Sequence, residues 1–458
     1  MSVHTHTRWA AIIERHFVVL LMIAASIVSL LNWRSIWQQG ITPYFEDFAD
    51  VIRSGFDPSA AVRRGCPTYP MWGYGWFLAV TQSRIILFLI QNFLGVLALV
   101  AFARALRQQQ ILERGPLLVF RLLLILAVPW YALHSVTWPA SPAAALLLTG
   151  IVLATAVCAP GPVRWLPLLL SGVSLGLAAN FRSDTLPVVV LIALTLLAAG
   201  GFQRSVAVRC SMWLLAIIAC LAPWSVYTRS VAGRPLLTST NAGLVNLIAF
   251  GYVEDNPWGI TVNDNDPVVA GMIREHLGRD VPPVHYEADR VLRQEFVRLV
   301  RAAPHVYARR VLRILWLSAV GGAYSGEFFR WIDAQSDVAE KRYAEMRARW
   351  HRMQVSELAQ RPRDAALVAL QLLGRLPTVP IVFASLLLLP LTATWGIRRR
   401  NALVCCTVAG IVGTWLLTGL TGLPEPRFAN PIYPLHLANL VLGATLITNR
   451  IHSRVSGR

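Results

Sequence analysis

The sequence predicts an all-α polytopic membrane protein, and three observations lead to this fold class. Of the 458 residues, 55% are hydrophobic and only 14% are charged. The mean hydropathy is +0.52. Apolar runs long enough to enter a bilayer recur along the whole chain, separated by polar segments that hold most of the arginines. A soluble core cannot bury this share of apolar side chains, so we expect them to face lipid and neighbouring helices.

About ten of these runs are expected to cross the membrane. Their direction follows from the arginines, because positive charge collects on the cytoplasmic side. Arg104, Arg107 and Arg114 follow the second run, and three consecutive arginines at 398–400 separate the eighth from the ninth. Both termini are therefore predicted to be cytoplasmic. The predicted spans are residues 17–37, 85–103, 117–132, 142–158, 165–179, 185–199, 212–227, 376–395, 402–420 and 431–448.

The spans divide the chain into three predicted modules. Residues 1–227 form an N-terminal transmembrane module whose first outer loop, 38–84, carries the catalytic groups. Residues 228–375 form a large outer loop with interfacial helices, since apolar side chains recur at helical spacing within 288–302 and 343–353. Residues 376–458 form a C-terminal transmembrane module. The arginine-rich segment 307–320 is expected to be interfacial or re-entrant, because a crossing there would put 398–400 outside.

The first outer loop clusters acids with arginines. Glu46 and Asp47 are adjacent, so on a helix only one of them can point at an acceptor hydroxyl. Asp47 is the preferred general base, and Glu46 is the alternate. The other reading of these acids is a solvated helix start. Further candidates in this loop are Asp50 as a supporting acid, and Arg63, Arg64 and Tyr69 as contacts for a phosphate or a lipid.

The hairpin between the fifth and sixth spans holds a second group of polar residues. Each arm has about 15 residues, which cover roughly 22 Å and fall short of the roughly 30 Å hydrocarbon core. Arg182 is therefore expected within reach of a lipid phosphate, with Asp184 beside it. The alternative is that the two side chains simply pair at a helix end. The remaining outer candidates are Arg427 for the donor phosphate, and Arg229, Ser239, Asn241 and Glu425, which with Asp184 are the predicted substrate-loop residues.

The charge pattern excludes some partners. The net charge is +18, but the arginines are scattered between apolar runs, where they set topology and meet anionic headgroups, so nucleic acid is not an expected partner. Lys341 is the only lysine among the 42 basic residues, a bias typical of bacteria with GC-rich DNA. The chain has no GxxxxGK[ST] phosphate loop. A group-transfer enzyme with outward-facing groups needs an activated donor that the membrane delivers.

Five stretches of the chain carry a family resemblance. They are FEDFADVIRSGFDP with TYPMWGYGWFLA, LAANFRSD, APWSVYTRSVAGRPLLTSTNAGLVNL, FVRLVRAAPHVYARRVLRILW and EPRFANPIYPL. In this order they resemble the GT-C superfamily of polyprenyl-phosphate-dependent glycosyltransferases, which includes protein O-mannosyltransferases and lipid A aminoarabinose transferases. The resemblance implies an essential acid in the first outer loop, which falls on Glu46 or Asp47.

The resemblance also implies the partners and the location. The donor is a sugar on a polyprenyl phosphate, and the acceptor is a hydroxyl of a glycan, lipid or protein. Transfer is expected to invert the sugar, in a multi-pass protein of the bacterial inner membrane whose active site faces the periplasm and contacts membrane lipids. The alternatives are a lipid-linked oligosaccharide polymerase or ligase, and a transporter or flippase. The first-loop acids favour the transferase, and a transporter would place charges within its spans.

No cofactor is certain from the sequence, and a divalent cation is left open. The run Asn-Asp-Asn-Asp at 263–266 offers oxygen ligands of the kind that such cations prefer. Without a second acidic cluster nearby, we interpret this run as a polar turn. The six cysteines show neither a disulfide framework nor a metal-binding spacing.

Overall fold

The computed structural model describes residues 3–31, 49–53, 55, 68–69, 71–81, 83–132, 140–253, 255–320, 378–422 and 432–455. These residues contain helices and irregular segments and no β-strand, so the all-α prediction is confirmed over them. The helices are α1 (Val3–Leu31), α2 (Trp72–Thr81), α3 (Arg84–Gln108), α4 (Arg114–Ala132), α5 (Ala140–Ala154), α6 (Trp165–Phe181), α7 (Thr185–Ala199), α8 (Arg204–Ala232), α9 (Ala242–Ile248), α10 (Pro267–Leu277), α11 (Tyr286–Ala302), α12 (Pro304–Val320), α13 (Thr378–Arg398), α14 (Ala402–Thr421) and α15 (Tyr433–Val455).

Each predicted span coincides with a helix over the described residues. Within the part of the chain that the structure describes, four helices are long and apolar enough to cross a membrane by length and composition: Ile85–Gln108, Arg204–Ala232, Val379–Arg398 and Ala402–Leu420. Shorter apolar helices occupy Pro142–Val157, Trp165–Phe181, Thr185–Ala199 and Ala242–Tyr252. These features are those of a multi-pass membrane protein. A total of about ten crossings remains a prediction.

The N-terminal helices pack through small residues. A Cβ atom added at Gly172 would lie 2.7 Å from Ala216 Cβ, and one at Gly176 would lie 2.6 Å from Cys220 Cβ. These two glycines are four residues apart on α6, so they form one flat face on which α8 approaches closely. Ser171, beside them, accepts a hydrogen bond from Trp213 Nε1 at 2.9 Å. The α6–α8 contact thus combines close backbone packing with a buried hydrogen bond.

The C-terminal helices share a buried polar network. Trp415 Nε1 on α14 donates to His436 Nε2 on α15 at 3.0 Å, and His436 Nδ1 lies 2.9 Å from Ser385 Oγ on α13. Asn439 Nδ2 donates to the Ser385 carbonyl at 2.7 Å. The Ser385, His436 and Asn439 side chains are buried. A polar network of this kind fixes which faces of three apolar helices meet.

Residues 242–314 build a second hydrophobic core, separate from that of the apolar helices, and we call this part the outer domain after its predicted location. Helix α11 buries Leu292 and Leu299 in this core and exposes Arg293 and Arg301 on its opposite face. The prediction of a helix at 288–302 is therefore confirmed. The segment 307–320 is also helical, as α12, while its path relative to a membrane remains a prediction. The predicted apolar stripe at 343–353 lies outside the described residues.

Helix α8 is longer than the span predicted at 212–227. It begins at Arg204 and continues to Ala232, so the helix extends beyond both ends of the predicted span, and where the span itself ends stays a prediction. The helix stops at Gly233, whose φ of +69° is in the left-handed region that glycine adopts without a steric penalty. Arg229 therefore lies on the last turn of α8 rather than in a loop.

Candidate functional site

The site is built around the connection between α6 and α7. Helix α6 ends at Phe181, and Arg182 is extended, with φ −147° and ψ 108°. Its amide still donates to the Ala178 carbonyl at 2.8 Å, and its carbonyl accepts from the Thr185 amide at 3.0 Å. These bonds turn the chain within three residues. The charged side chains of the connection are thereby presented between two apolar helices.

Arg182 and Asp184 form a two-point ion pair. Arg182 Nε donates to Asp184 Oδ1 at 3.0 Å, and Arg182 Nη2 donates to Asp184 Oδ2. The arginine side chain is 12% exposed and the aspartate side chain is 33% exposed. The two side chains therefore pair, as the alternative reading of this connection has it, while a contact of Arg182 with a lipid phosphate stays a prediction. The two-point contact also fixes the plane of the guanidinium. A phosphate is recognised by the same planar fork of N–H groups as a carboxylate.

A narrow cavity lies beside this pair. Its volume is about 30 Å³, and Arg182 and Asp184 form its polar end. Most other lining residues are small or apolar, and three are threonines. They come from α5, α7 and α14 and from the residue before α15: Ala143, Ala144, Leu147, Thr185, Val188, Thr414, Leu417, Thr418 and Ile432. The site thus joins a charged end to an apolar crevice between helices.

The end of the first outer loop docks against this hairpin. Trp72 Nε1 on α2 donates to Asn180 Oδ1 at 2.5 Å. Asn180 is buried, and its Nδ2 donates to the Gly176 and Cys220 carbonyls at 3.0 and 2.8 Å. A Cβ atom at Gly73 would lie 2.7 Å from the Asn180 carbonyl oxygen, so α2 contacts the α6 backbone directly. Asn180 therefore holds α2, α6 and α8 together at the base of the site.

The segment 239–241 reaches the same place from the outer domain. Ser183 Oγ lies 3.2 Å from Ser239 Oγ, which donates to Asn241 Oδ1 at 2.9 Å. The predicted Ser239 and Asn241 are thus brought next to the hairpin. Thr240 Oγ1 lies 2.7 Å from Thr68 Oγ1 and 2.7 Å from the Val284 carbonyl oxygen, so this segment also connects the first outer loop with the outer domain.

The remaining predicted residues fall into two groups. Arg53 Nη1 donates to the Asp50 carboxylate at 2.7 Å, and both side chains are about half exposed (49% for Asp50), while the role of Asp50 as a supporting acid stays a prediction. Tyr69 is partly buried next to Thr68, and Arg229 is exposed on α8. Outside the described residues lie Glu46, Asp47, Arg63, Arg64, Glu425 and Arg427, whose roles stay predictions.

Residues 263–266 form a capped turn. Asp266 precedes α10 and accepts from the Val268 and Val269 amides at 2.9 and 3.0 Å, and from the amide and hydroxyl of Thr261. Burial raises the pKa of its carboxyl, but these hydrogen bonds lower it by more. The pKa of Asp266 therefore lies below the ordinary value for an aspartate. Among the residues that the structure describes, no group of three or more His, Cys, Asp or Glu side chains is arranged to hold a metal ion.

Sequence reasoning did not single out Asn180, Trp72 or Thr240. Asn180 and Trp72 are 108 residues apart, so the sequence alone gives no reason to pair them. The indication that the sequence does offer is an asparagine at the end of an apolar helix. If its amide is buried, it requires several hydrogen-bond partners, and these come from neighbouring helices.

Comparison with known proteins gives two structural matches. No protein-family model and no curated protein matches the chain. An apo oligosaccharyltransferase from Archaeoglobus fulgidus matches at 12% identity and a TM-score of 0.46, over 96% of this chain and 51% of that one. Oligosaccharyltransferase AglB from Archaeoglobus fulgidus, in complex with an inhibitory peptide and a dolichol-phosphate, matches at 12% identity and 0.43, over 97% and 52%. This chain spans about half the length of the proteins that it resembles.

Proposed function

We propose that the protein is an integral membrane glycosyltransferase. It moves a sugar from a polyprenyl-phosphate donor to an acceptor hydroxyl on the outer face of the membrane, with inversion. The observation that supports this function is the Arg182–Asp184 pair at the polar end of a crevice lined by small and apolar residues. A lipid phosphate has the same construction, with an anionic head on an apolar chain.

The phosphate is held by Arg182 in this proposal. The guanidinium has five N–H donors in a planar fork, and Asp184 fixes the direction of that plane. Thr185, Thr414 and Thr418 add hydroxyl groups along the crevice wall. The cavity of about 30 Å³ accommodates roughly one water molecule. The prenyl chain therefore enters by parting α5, α7 and α14.

The transfer step needs a base and a stabilised leaving group. Asp47, or Glu46 as the alternate, takes the proton of the acceptor hydroxyl as its oxygen attacks the anomeric carbon of the donor. The bond between that carbon and the phosphate oxygen breaks, and the polyprenyl phosphate leaves with the electron pair. Arg182 stabilises the charge that develops on the phosphate. A single displacement of this kind inverts the anomeric centre.

The proposal also covers the location and the modules. The hairpin, the first outer loop, and the Glu425 and Arg427 loop face the periplasm of a bacterial inner membrane. Residues 1–227 supply the base and the donor site, 228–375 cover the site from outside, and 376–458 complete the crevice. A glycan, lipid or protein provides the acceptor hydroxyl. A polymerase or ligase, and a flippase, are the rival functions that the following experiment addresses.

The test uses purified protein in proteoliposomes with a polyprenyl-phosphate sugar as donor. We expect Arg182→Ala to lose of order 2 to 4 kcal/mol of transition-state stabilisation, and Arg182→Lys to recover only part of it. Arg234→Ala, at an exposed arginine beyond the end of α8, is the matched control and should transfer normally. Wild-type protein that moves the lipid across the bilayer without transferring sugar would make it a flippase. Transfer of preassembled chains alone would favour the ligase.

A further inference from the structure

Arg310 on α12 is fully buried. Its guanidinium carbon lies 5.3 Å from the ring centroid of Phe250, 5.5 Å from that of Phe296 and 5.3 Å from that of Tyr307. The three rings come from three different segments of the outer domain, and the arginine side chain has 0% exposure. A cation among aromatic faces is stabilised by their negative quadrupoles, which explains how a charge is tolerated in this apolar setting.

The same guanidinium reaches the end of α14. Arg310 Nη1 donates to the Leu420 carbonyl at 3.2 Å, and Tyr307 Oη donates to the same oxygen at 3.2 Å. Leu420 lies in the last turn of α14, where carbonyl groups lack intrahelical partners and carry the negative end of the helix dipole. Arg310 therefore caps a helix of the bundle with a cation of the outer domain.

No oxygen atom among the described residues accepts from Arg310 Nε or Nη2. The ring faces around the guanidinium are the groups available to these N–H donors. Burial lowers the pKa of Arg310 to about 10, so the side chain remains a cation at neutral pH. A planar guanidinium can stack on rings and donate at its edge together, whereas a lysine ammonium cannot.

The packing around this contact is tight. A Cβ atom at Gly419 on α14 would lie 2.9 Å from Leu315 Cδ2 on α12, one turn beyond Arg310. Trp316 contacts Phe383 on α13, with ring centroids 6.2 Å apart. Helix α12 thus contacts two helices of the C-terminal module, and Arg310 and Tyr307 supply hydrogen bonds at this interface.

We infer that Arg310 is a positioning residue that clamps the end of α14 to the outer domain. The chain leaves α14 at Gly422, so this contact sets where the following segment starts. The contact also relates the outer domain to α14, whose Thr414, Leu417 and Thr418 line the crevice beside Arg182. The consequence for transfer rests on the proposed function, while the contact itself does not.

Hydrogen exchange of the full-length protein in nanodiscs tests the contact. We expect Arg310→Met to speed exchange of the last turn of α14 by roughly tenfold or more, as loss of a charged hydrogen bond implies. Exchange of the α6–α7 hairpin should stay unchanged. The matched control is Arg309→Met, at the exposed neighbouring arginine, which should leave both segments as in the wild type. Equal exchange in wild type and Arg310→Met overturns the inference.

Tyr307→Phe provides a milder variant in case Arg310→Met does not fold. It keeps the ring and removes only the second hydrogen bond to Leu420. We expect a smaller acceleration in the same segment, and no acceleration there contradicts the inference. In the transfer assay, Arg310→Lys should lower kcat with little change in the KM for the donor. Normal kcat despite faster exchange removes the positioning role, whereas an inactive wild type refutes the proposed function and leaves the exchange result standing.

Discussion

Arg182 and Asp184 form an ion pair with a structural role, and the proposed function gives the same pair a role in donor binding. The carboxylate satisfies part of the guanidinium in a setting where the arginine is only 12% exposed. An arginine left there without a carboxylate would be costly to desolvate. A phosphate that arrives from the crevice meets a fork already oriented in its plane. The ion pair is therefore compatible with donor binding and limits its strength, because the phosphate competes with Asp184.

At the residue scale, the base is a prediction that transfer assays can check. Asp47→Asn keeps the shape of the side chain and removes its basicity, so transfer should fall by roughly 10² to 10⁴-fold while donor binding and expression hold. Glu46→Gln should be the milder change. The assay is transfer by purified protein from a lipid-linked donor. Near-normal rates in both single variants and in the double variant would exclude a first-loop carboxylate at these positions.

The residue scale also shows where sequence reasoning stops. The Arg182–Asp184 pair was one of two readings of the connection, because the two residues are neighbours between helices that are visible in the sequence. Asn180 and Thr240 were not anticipated, since each acts through partners distant in the chain, Trp72 and Thr68. Such pairings arise only when the helices have packed. The roles of Glu425 and Arg427 remain predictions.

At the scale of elements, the contact between α2 and α6 depends on Gly73. A Cβ atom there would lie 2.7 Å from backbone atoms of Asn180, which cannot move aside as a flexible side chain can. We expect Gly73→Ala to lower the free energy of unfolding by about 1 to 3 kcal/mol. Thermal unfolding measures this effect. Gly95→Ala on α3 is the control, because a Cβ atom there meets nothing within 4 Å, and an equal loss in both variants would contradict this account.

Helix α11 carries a pH-sensitive cap. His285 Nδ1 accepts from the Glu287 amide at 3.3 Å, which requires that this nitrogen carry no proton. Burial lowers the pKa of His285 below 6.5, with Glu287 raising it and Arg279 lowering it. The unfolded state therefore binds more protons between the two pKa values, so this stabilisation is present above pH 6.5 and declines as the pH falls toward the folded pKa.

His285→Asn should remove this dependence, because asparagine caps a helix without titrating. We expect the unfolding temperature of the wild type to drop relative to that of the variant as the pH is lowered below 6.5. The difference between the two proteins isolates the histidine from other titrating groups. A difference in unfolding temperature that stays constant between roughly pH 8 and pH 5, a range that brackets the ordinary histidine pKa, would show that His285 does not titrate at the cap.

Element positions were largely predictable, and element ends were less so. Each apolar run that predicted a span coincides with a helix over the described residues, because burial and lipid contact both select apolar side chains. The seventh span was predicted to end at Tyr227, whereas α8 continues through Thr228 and Arg229 to Ala232. Thr228 is buried and its hydroxyl donates to the Ser225 carbonyl, so a polar residue at this position does not end the helix.

At the scale of the whole molecule, the topology is open to a direct test. In a Cys66→Ser background, we expect Asp264→Cys and Ser336→Cys to react with an impermeant thiol reagent in intact cells. Arg399→Cys, predicted inside, is the control that should not react. The physical reason is the arginine cluster at 398–400, which opposes transfer across the membrane. Labelling at Asp264→Cys without labelling at Ser336→Cys would mean that the chain crosses between them.

The whole-molecule arrangement follows from the sequence only in part. Hydropathy and the arginine pattern predict which segments are apolar and on which side their ends lie. They do not predict which helices become neighbours. The crevice beside Arg182 is formed by α5, α7 and α14, whose order in the chain gives no indication that they meet. The separate core around Phe250 and Leu292 likewise depends on contacts between distant segments.

Photo-crosslinking with a diazirine-tagged polyprenyl phosphate tests the central proposal most directly. In nanodiscs, we predict crosslinks on the apolar walls of the crevice, at Leu147, Val188 and Leu417, that untagged polyprenyl phosphate competes away. Arg182→Ala should lose most of this labelling, and Arg234→Ala should retain it. Labelling of Arg182→Ala equal to that of the wild type, or competed labelling confined to other helices, would contradict a donor site at the hairpin.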